Sequence, residues 1–466
     1  MEVQEINEAS LEREKQRSES EARDIIHDLV RLYTLPEERK TRWVWELLQN
    51  AKDVADEGGV DIIFKLTNEQ LEFTHNGVPF ATKHLLALLY KTSTKSLNGE
   101  DGITGKYGTG FVTTHILNKK LTISGIHENN FGKRKFELII DRSSATLDES
   151  MALGAMQESL SKTFLEIDNV TKSASEEVSL NKHSFIYKLS TESYIYAEQG
   201  LRELERNISF TLLINPKIKS VAIQTQSTNK RYVSAPKQTS IDGIKFISSS
   251  NETGILYYES DKLIFGIPAI EKGDSFKLLP IENQAVLFKE FPLIGTEKFN
   301  LPVFLQHKEF HPTELRDGIR TKKISETEED PTADKNRKAL VEFVQCYIVF
   351  AQKLIDANLE SLHLLAKSGL PALIENYSNL SWYQSNIQKI IRDFILQQNI
   401  VKTCSGEFIK IGQAKFPNIE LYNNTGFYSL VSRLLPTKVP VEESILYLGR
   451  SYCARNRTLV RTNHNR

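Results

Sequence analysis

Cysteine is scarce in this chain: Cys346, Cys404 and Cys453 are the only three in 466 residues, far apart and without paired spacing. That argues against a disulfide framework and against a cysteine-based zinc site, and it fits a reducing, cytoplasmic setting. Long hydrophobic runs are also missing. None approaches the ~20 residues of a membrane span, and the start, Met1-Glu2-Val3-Gln4-Glu5, does not read as a signal peptide, so no membrane partner is expected. Charge of one sign is absent as well. Lys plus Arg total 59 against 60 Asp plus Glu, a net charge of -1. A balance this close gives no global electrostatic footprint for nucleic acid, which is not expected as a partner. The length is enough for two or three domains with a sizeable core.

What is present begins with Trp45-Glu46-Leu47-Leu48-Gln49-Asn50-Ala51-Lys52-Asp53. On a helix, Glu46, Asn50 and Asp53 fall at i, i+4 and i+7 and share one face, with neighbouring Cβ atoms ~5–6 Å apart. A carboxamide oxygen can ligate a hard cation, and a carboxylate one turn away can orient or deprotonate a water. Leu47, Leu48, Ala51, Val54 and Ala55 would pack the helix against a sheet. Alone, such a stretch is more often an ordinary amphipathic helix with a solvated acidic face.

Two glycine motifs follow. Leu71-Glu72-Phe73-Thr74-His75-Asn76-Gly77 reads as a strand running into an Asn-Gly turn, and Leu85 to Leu89 as a helix. Gly105-Lys106-Tyr107-Gly108-Thr109-Gly110-Phe111 reads as a glycine loop entering an apolar segment that runs to Leu117. Such glycines let backbone amides approach an anion closely, and a helix N-terminus adds favourable partial charge. The phosphate-loop pattern does not fit, because it would need glycine at Glu100 and Ser or Thr at Tyr107. The dinucleotide fingerprint does not fit either: the spacing is Gly-x-x-Gly-x-Gly and no strand feeds into it.

Taken together and in this order, the motifs from about Trp43 to Ser124 resemble the GHKL ATPase superfamily. That group holds gyrase subunits, ninety-kilodalton heat-shock chaperones, histidine kinases and MutL. The resemblance implies an N-terminal Bergerat-type α/β sandwich, with ATP and Mg²⁺ as cofactors. It implies that Glu46 activates water, that Asn50 holds Mg²⁺, and that Asp53 with His75, Asn76 and Gly77 holds the base. Thr94 and Lys95 would open the ATP lid. Gly105, Lys106, Tyr107, Gly108, Thr109, Gly110 and Phe111 would close it over the phosphates. Thr163, in Lys162-Thr163-Phe164-Leu165-Glu166-Ile167, would be a strand threonine near the adenine, although Lys162 stands where the family has glycine. His75 is a departure too, since the family places aspartate there. A neutral histidine has one acceptor nitrogen for the adenine amino group, and Asn76 is the other acceptor at hand. The His-Asn-Gly-x-Pro-Phe form is similar to that of sacsin-like and No-Vein-like ATP-binding proteins.

The composition divides the chain. Residues 1–23 are highly charged, either a solvated helix or a disordered arm. The ATP-binding domain is expected over 24–214, with a core helix from about Glu21 to Tyr33, and Asn215-Pro216 marks its end. An α/β transducer-like middle domain is expected over 215–325, a mainly helical region over 335–449 and a basic tail over 450–466. His311-Pro312-Thr313-Glu314-Leu315-Arg316-Asp317-Gly318-Ile319-Arg320 carries two arginines on a loop. In chaperone and MutL relatives a basic middle-domain residue reaches the nucleotide, and Arg316 or Arg320 is the candidate here. Arg316 paired with Glu314 or Asp317 in a surface loop is the plain alternative.

The expectation is a slow Mg²⁺-dependent ATPase, hydrolysing ATP to ADP and phosphate, whose output is a change of shape or dimerisation. A homodimer formed through residues 1–33, chaperone-like handling of a protein client, or a role in bacterial defence all rest on the resemblance alone. The rival readings are a non-hydrolysing nucleotide sensor and a histidine-kinase-type phosphotransferase. The chaperone-like Gly110–Leu117 run and the poor phospho-acceptor context of His27 count against the second.

Overall fold

The computed structural model describes residues 2–89, 111–145, 149–173, 175–178, 181–250, 253–313, 315–325, 329–371, 377–416 and 425–448. It divides the chain into two units: residues 1–208 with 215–233, and 209–214 with 234–466. Both are α/β, with mixed or antiparallel sheets backed by helices. Among the described residues no helix is long and apolar enough to cross a membrane.

The first unit is built on a seven-stranded sheet in the order β4-β3-β5-β2-β1-β6-β7. Its strands are β1 (Val60–Leu66), β2 (Gln70–His75), β3 (Lys120–Asn129), β4 (Gly132–Asp141), β5 (His183–Lys188), β6 (Ile218–Gln224) and β7 (Asn229–Val233). Alternation assigns the two faces. Val60, Ile62, Phe64 and Leu66 are buried while Ile63 and Lys65 are exposed, which is the period-2 signature of a sheet covered on one side. The covering helices are α1 (Glu2–Tyr33), α2 (Trp43–Asp53), α3 (Thr82–Ala87), α4 (Glu149–Lys172) and α5 (Thr191–Ile214). Val44, Leu47, Leu48 and Ala51 of α2 are fully buried, and Trp43 meets Phe64 edge-on at 6.1 Å. Gly200 of α5 leaves the room that Trp43 fills: a Cβ there would lie 2.5 Å from the indole.

Only β1 and β6 run parallel within this sheet, and α5 is the crossover that joins β5 to β6. Because β6 is hydrogen-bonded to β1, the first unit continues to Val233 rather than ending at the Asn215-Pro216 boundary. That dipeptide is the turn into a further strand of the same sheet. The charged N-terminus is helical, and α1 runs without a break from Glu2 to Tyr33.

In the second unit, β8 (Ala235–Gln238), β9 (Lys245–Ser250), β10 (Thr253–Glu259), β11 (Leu263–Lys272), β12 (Ser275–Leu278), β13 (Leu287–Phe288) and β14 (Phe304–His307) form another seven-stranded sheet. Helix α6 (Pro331–Asp356) lays Phe343 and Phe350 on Phe265 at 5.4 and 5.1 Å. One continuous apolar core runs from the sheet through α6 to Ile400, Val401 and Leu448. The regions expected over 215–325 and 335–449 therefore share a core from residue 234 onward, because the α6 stripe has this sheet as its partner.

Candidate functional site

Helix α2 presents Glu46, Asn50 and Asp53 along one face, graded from buried to exposed. Glu46 retains 7% of its surface, Asn50 is half-buried and Asp53 is exposed. Glu46 is held in place: Arg42 Nε and Nη2 lie 3.1 and 3.0 Å from its Oε1. No side-chain partner of Asn50 is found among the described residues, so its amide oxygen is open to a ligand. An amide oxygen with a carboxylate one turn away is a donor set for a hard cation. It suits Mg²⁺, which takes few protein oxygens and completes its shell with water and phosphate. The described residues hold no cluster of three His, Cys, Asp or Glu that would form an all-protein cage.

The end of α2 meets the Asn-Gly turn. Val78 N–H donates to Val54 C=O at 2.8 Å, and a Cβ on Gly77 would lie 2.6 Å from that carbonyl oxygen. Only glycine lets the turn close onto the helix. Phe111 begins a 3-10 helix, Phe111–Ile116, and stacks edge-on to Phe185 of β5 at 6.1 Å. The structure thus gathers Glu46, Asn50, Asp53, the His75–Gly77 turn and Phe111 around one helix. Thr94, Lys95, Gly105, Lys106, Tyr107, Gly108, Thr109 and Gly110 lie outside the described residues.

His75 is 5% exposed and faces a second histidine that sequence reasoning missed. β2 and β5 pair antiparallel with His75 opposite His183, the rings 5.0 Å apart and inclined by 35°. His183 Nδ1 accepts from Ile126 N–H at 3.4 Å, so its Nε2 carries the proton and donates to Gly77 C=O at 3.1 Å. Gly77 N–H in turn donates to His75 Nδ1 at 3.3 Å. Burial, and then the neighbouring His183, push the His75 imidazole down to about 3, and burial also lowers His183. Both rings are neutral at pH 7. Gly125 makes room for the pair, since a Cβ there would lie 2.6 Å from His183 Nδ1. Nothing in Lys182-His183-Ser184 marks it in sequence; only strand register brings it to His75.

Asn76 Oδ1 accepts from Asp61 N–H at 2.7 Å on the neighbouring strand, which fixes the amide and leaves its oxygen one further lone pair. One expectation is corrected here. Thr163 is not on a strand but in the middle of α4, where its hydroxyl donates to Ser159 C=O at 3.0 Å, back along its own helix. Met156, Leu160, Thr163 and Ile167 are all buried at three- and four-residue spacing, the stripe of a helix. The strands beside β2 are β1 and β5.

Arg316 and Arg320 belong to the second unit. Arg316 has a left-handed backbone, φ 50°, with its N–H donating to Thr313 C=O at 2.9 Å. Arg320 Nη2 donates to Asp330 Oδ1 at 2.8 Å, and the same oxygen caps the α6 N-terminus by accepting from Ala333 N–H at 3.1 Å.

Comparison with protein-family models finds no match, and comparison with curated proteins finds none. Among solved structures, the chain is similar to the ATPase region of Saccharomyces cerevisiae topoisomerase II. The identity is 11%, over 54% of this chain and 61% of that one, with a TM-score of 0.30. The match therefore spans less than two thirds of that chain.

Proposed function

We propose that the first unit is a Mg²⁺-dependent ATP-binding and ATP-hydrolysing switch of the GHKL type. The observation that carries this reading is the meeting of the Glu46–Asn50 face of α2 with the His75–Gly77 turn at the end of the same helix. One helix then serves both ends of a nucleotide, with the base at the turn and the phosphates toward Glu46.

In this reading Asn50 Oδ1 would hold the metal, which would supply neutralisation of phosphate charge. Glu46 accepts the proton of a water that attacks the γ-phosphorus. The β–γ bridging oxygen leaves with ADP, and phosphate is released. Arg42 fixes the Glu46 carboxylate through one oxygen, and no partner is described for the other. The arginine that offsets charge in the transition state is sought at Arg316 or Arg320. A chaperone-like output on a protein client, a part in bacterial defence, and a homodimer through residues 1–33 belong to the same reading.

The deciding experiment is calorimetric binding of Mg·ATP, paired with phosphate release, for the wild type and Glu46→Ala. Binding in both with turnover only in the wild type supports the switch. The Arg42 contact on Glu46 Oε1 favours one second reading, a nucleotide sensor with a restrained carboxylate. Binding without turnover in either protein selects it.

A further inference from the structure

The base end of the site has an unusual hydrogen-bonding sense. Two acceptors stand near it in the sequence, the ring of His75 and the amide of Asn76. In the fold Asn76 Oδ1 is engaged by Asp61 N–H across the strand pair, and the single lone pair of His75 Nδ1 is taken by Gly77 N–H. The ring is buried among Phe73, Phe185 and His183, with centroids at 5.7, 6.1 and 5.0 Å. No carboxylate is among these contacts, and the neutral ring carries its proton on Nε2. No partner for that N–H is found among the described residues. His183 cannot reverse the pattern. Its Nδ1 is taken by Ile126 N–H, and its Nε2–H is directed to Gly77 C=O. Each acceptor nitrogen of the pair is satisfied by backbone, and the group left to a ligand is a donor.

A purine presents two kinds of edge to such a group. Adenine offers a donor at its 6-amino group and an acceptor at ring nitrogen 1, and a 6-oxopurine offers an acceptor at the 6-oxygen. We propose that His75 Nε2–H reads a bound purine by donating to an acceptor on this edge, so that the site admits 6-oxopurine nucleotides as well as adenine nucleotides. This rests on the nucleotide reading above and deepens it to the choice of base. Once a bound base covers it, the donor is costly to leave unpaired, so a ligand lacking the matching acceptor is disfavoured, whereas one offering the acceptor from a different ring atom is tolerated.

The test is calorimetry on the full chain with Mg²⁺ and ATP, inosine triphosphate or 1-deaza-ATP, an analogue without the ring-1 acceptor. The expected result is ATP and inosine triphosphate within about threefold of each other, and 1-deaza-ATP weaker by about tenfold. His75→Asp, which replaces the donor by an acceptor, should restore a preference for ATP over inosine triphosphate of about tenfold. ATP favoured more than about tenfold over inosine triphosphate by the wild type overturns the proposal and leaves the nucleotide reading standing. So does 1-deaza-ATP binding as well as ATP. Binding of none of the three overturns the nucleotide reading itself. The wild-type comparisons decide the matter even if the aspartate variant does not fold.

Discussion

Arg42 places two guanidinium nitrogens on the same carboxylate oxygen of Glu46, one turn further along the start of α2. The contact fixes the rotamer of the proposed base, and no partner of the other oxygen is found among the described residues. Replacing Arg42 by alanine should lower kcat for ATP hydrolysis by about tenfold through misplacement of the carboxylate. The Kd for Mg·ATP should stay within about twofold. Phosphate release at saturating ATP, beside calorimetry, separates the two quantities.

Glu46→Gln keeps the size of the side chain and removes the proton acceptor. Turnover should fall by about 10²–10⁴-fold, the span of general-base contributions, with nucleotide binding retained. Single-turnover kinetics on the purified chain measures this directly.

Gly77→Ala should destabilise the first unit by about 1–3 kcal/mol, because the new methyl meets Val54 C=O at 2.6 Å and the Val54 side chain at 2.7 Å. Urea denaturation gives the stability, and loss of ATP affinity beyond what unfolding explains would show that the turn itself holds ligand.

The buried histidines predict acid sensitivity with a definite sign. His75 and His115 are each lowered from 6.5 to about 3 by burial, with His183 adding to the first and Arg142 to the second. Above pH 6.5 folded and unfolded states are both neutral at these rings, and their full stability is present. Below it the unfolded chain takes up protons that the fold refuses, so stability falls as pH drops from 6.5 toward 3. Each ring removes about 1.4 kcal/mol per pH unit. Denaturant midpoints from pH 7 to 5 should show this decline, with a shallower slope in His75→Gln.

Thr163→Val should leave ATP affinity within about twofold, since the hydroxyl is bonded within its own helix. Arg320→Ala should lower the melting temperature of the second unit by loosening Asp330, the cap of α6, a contact class worth about 1 kcal/mol. A drop in kcat from the same variant, without a matching drop in melting temperature, would instead mark Arg320 as the transition-state arginine.

The sequence is readable where the information is local. The α2 face, the Asn-Gly turn after β2 and the α6 stripe each follow from spacing within one or two dozen residues. Register across the sheet is not local. His183 becomes part of the site only because β5 pairs with β2, and Asn76 is tied to Asp61 only because β1 lies alongside. Thr163 shows the cost of a short window: Lys162 to Ile167 is too short to reveal a helical period and so to tell helix from strand. The longer stripe from Met156 to Ile167 has helical spacing, and burial against β4 decides between them. A proline turn is likewise the same local signal whether it ends a sheet or, as Asn215-Pro216 does here, leads to its next strand.

The packing of Trp43 against Gly200 has a practical corollary. Of the three tryptophans in the chain, Trp43 and Trp45 both sit on α2 and are buried there, while Trp382 lies in the second unit. Intrinsic fluorescence of the unlabelled protein is therefore weighted toward the helix that carries Glu46 and Asn50. A ligand that shifts α2 by a fraction of an ångström reports itself in the emission spectrum, and Trp382→Phe isolates that signal.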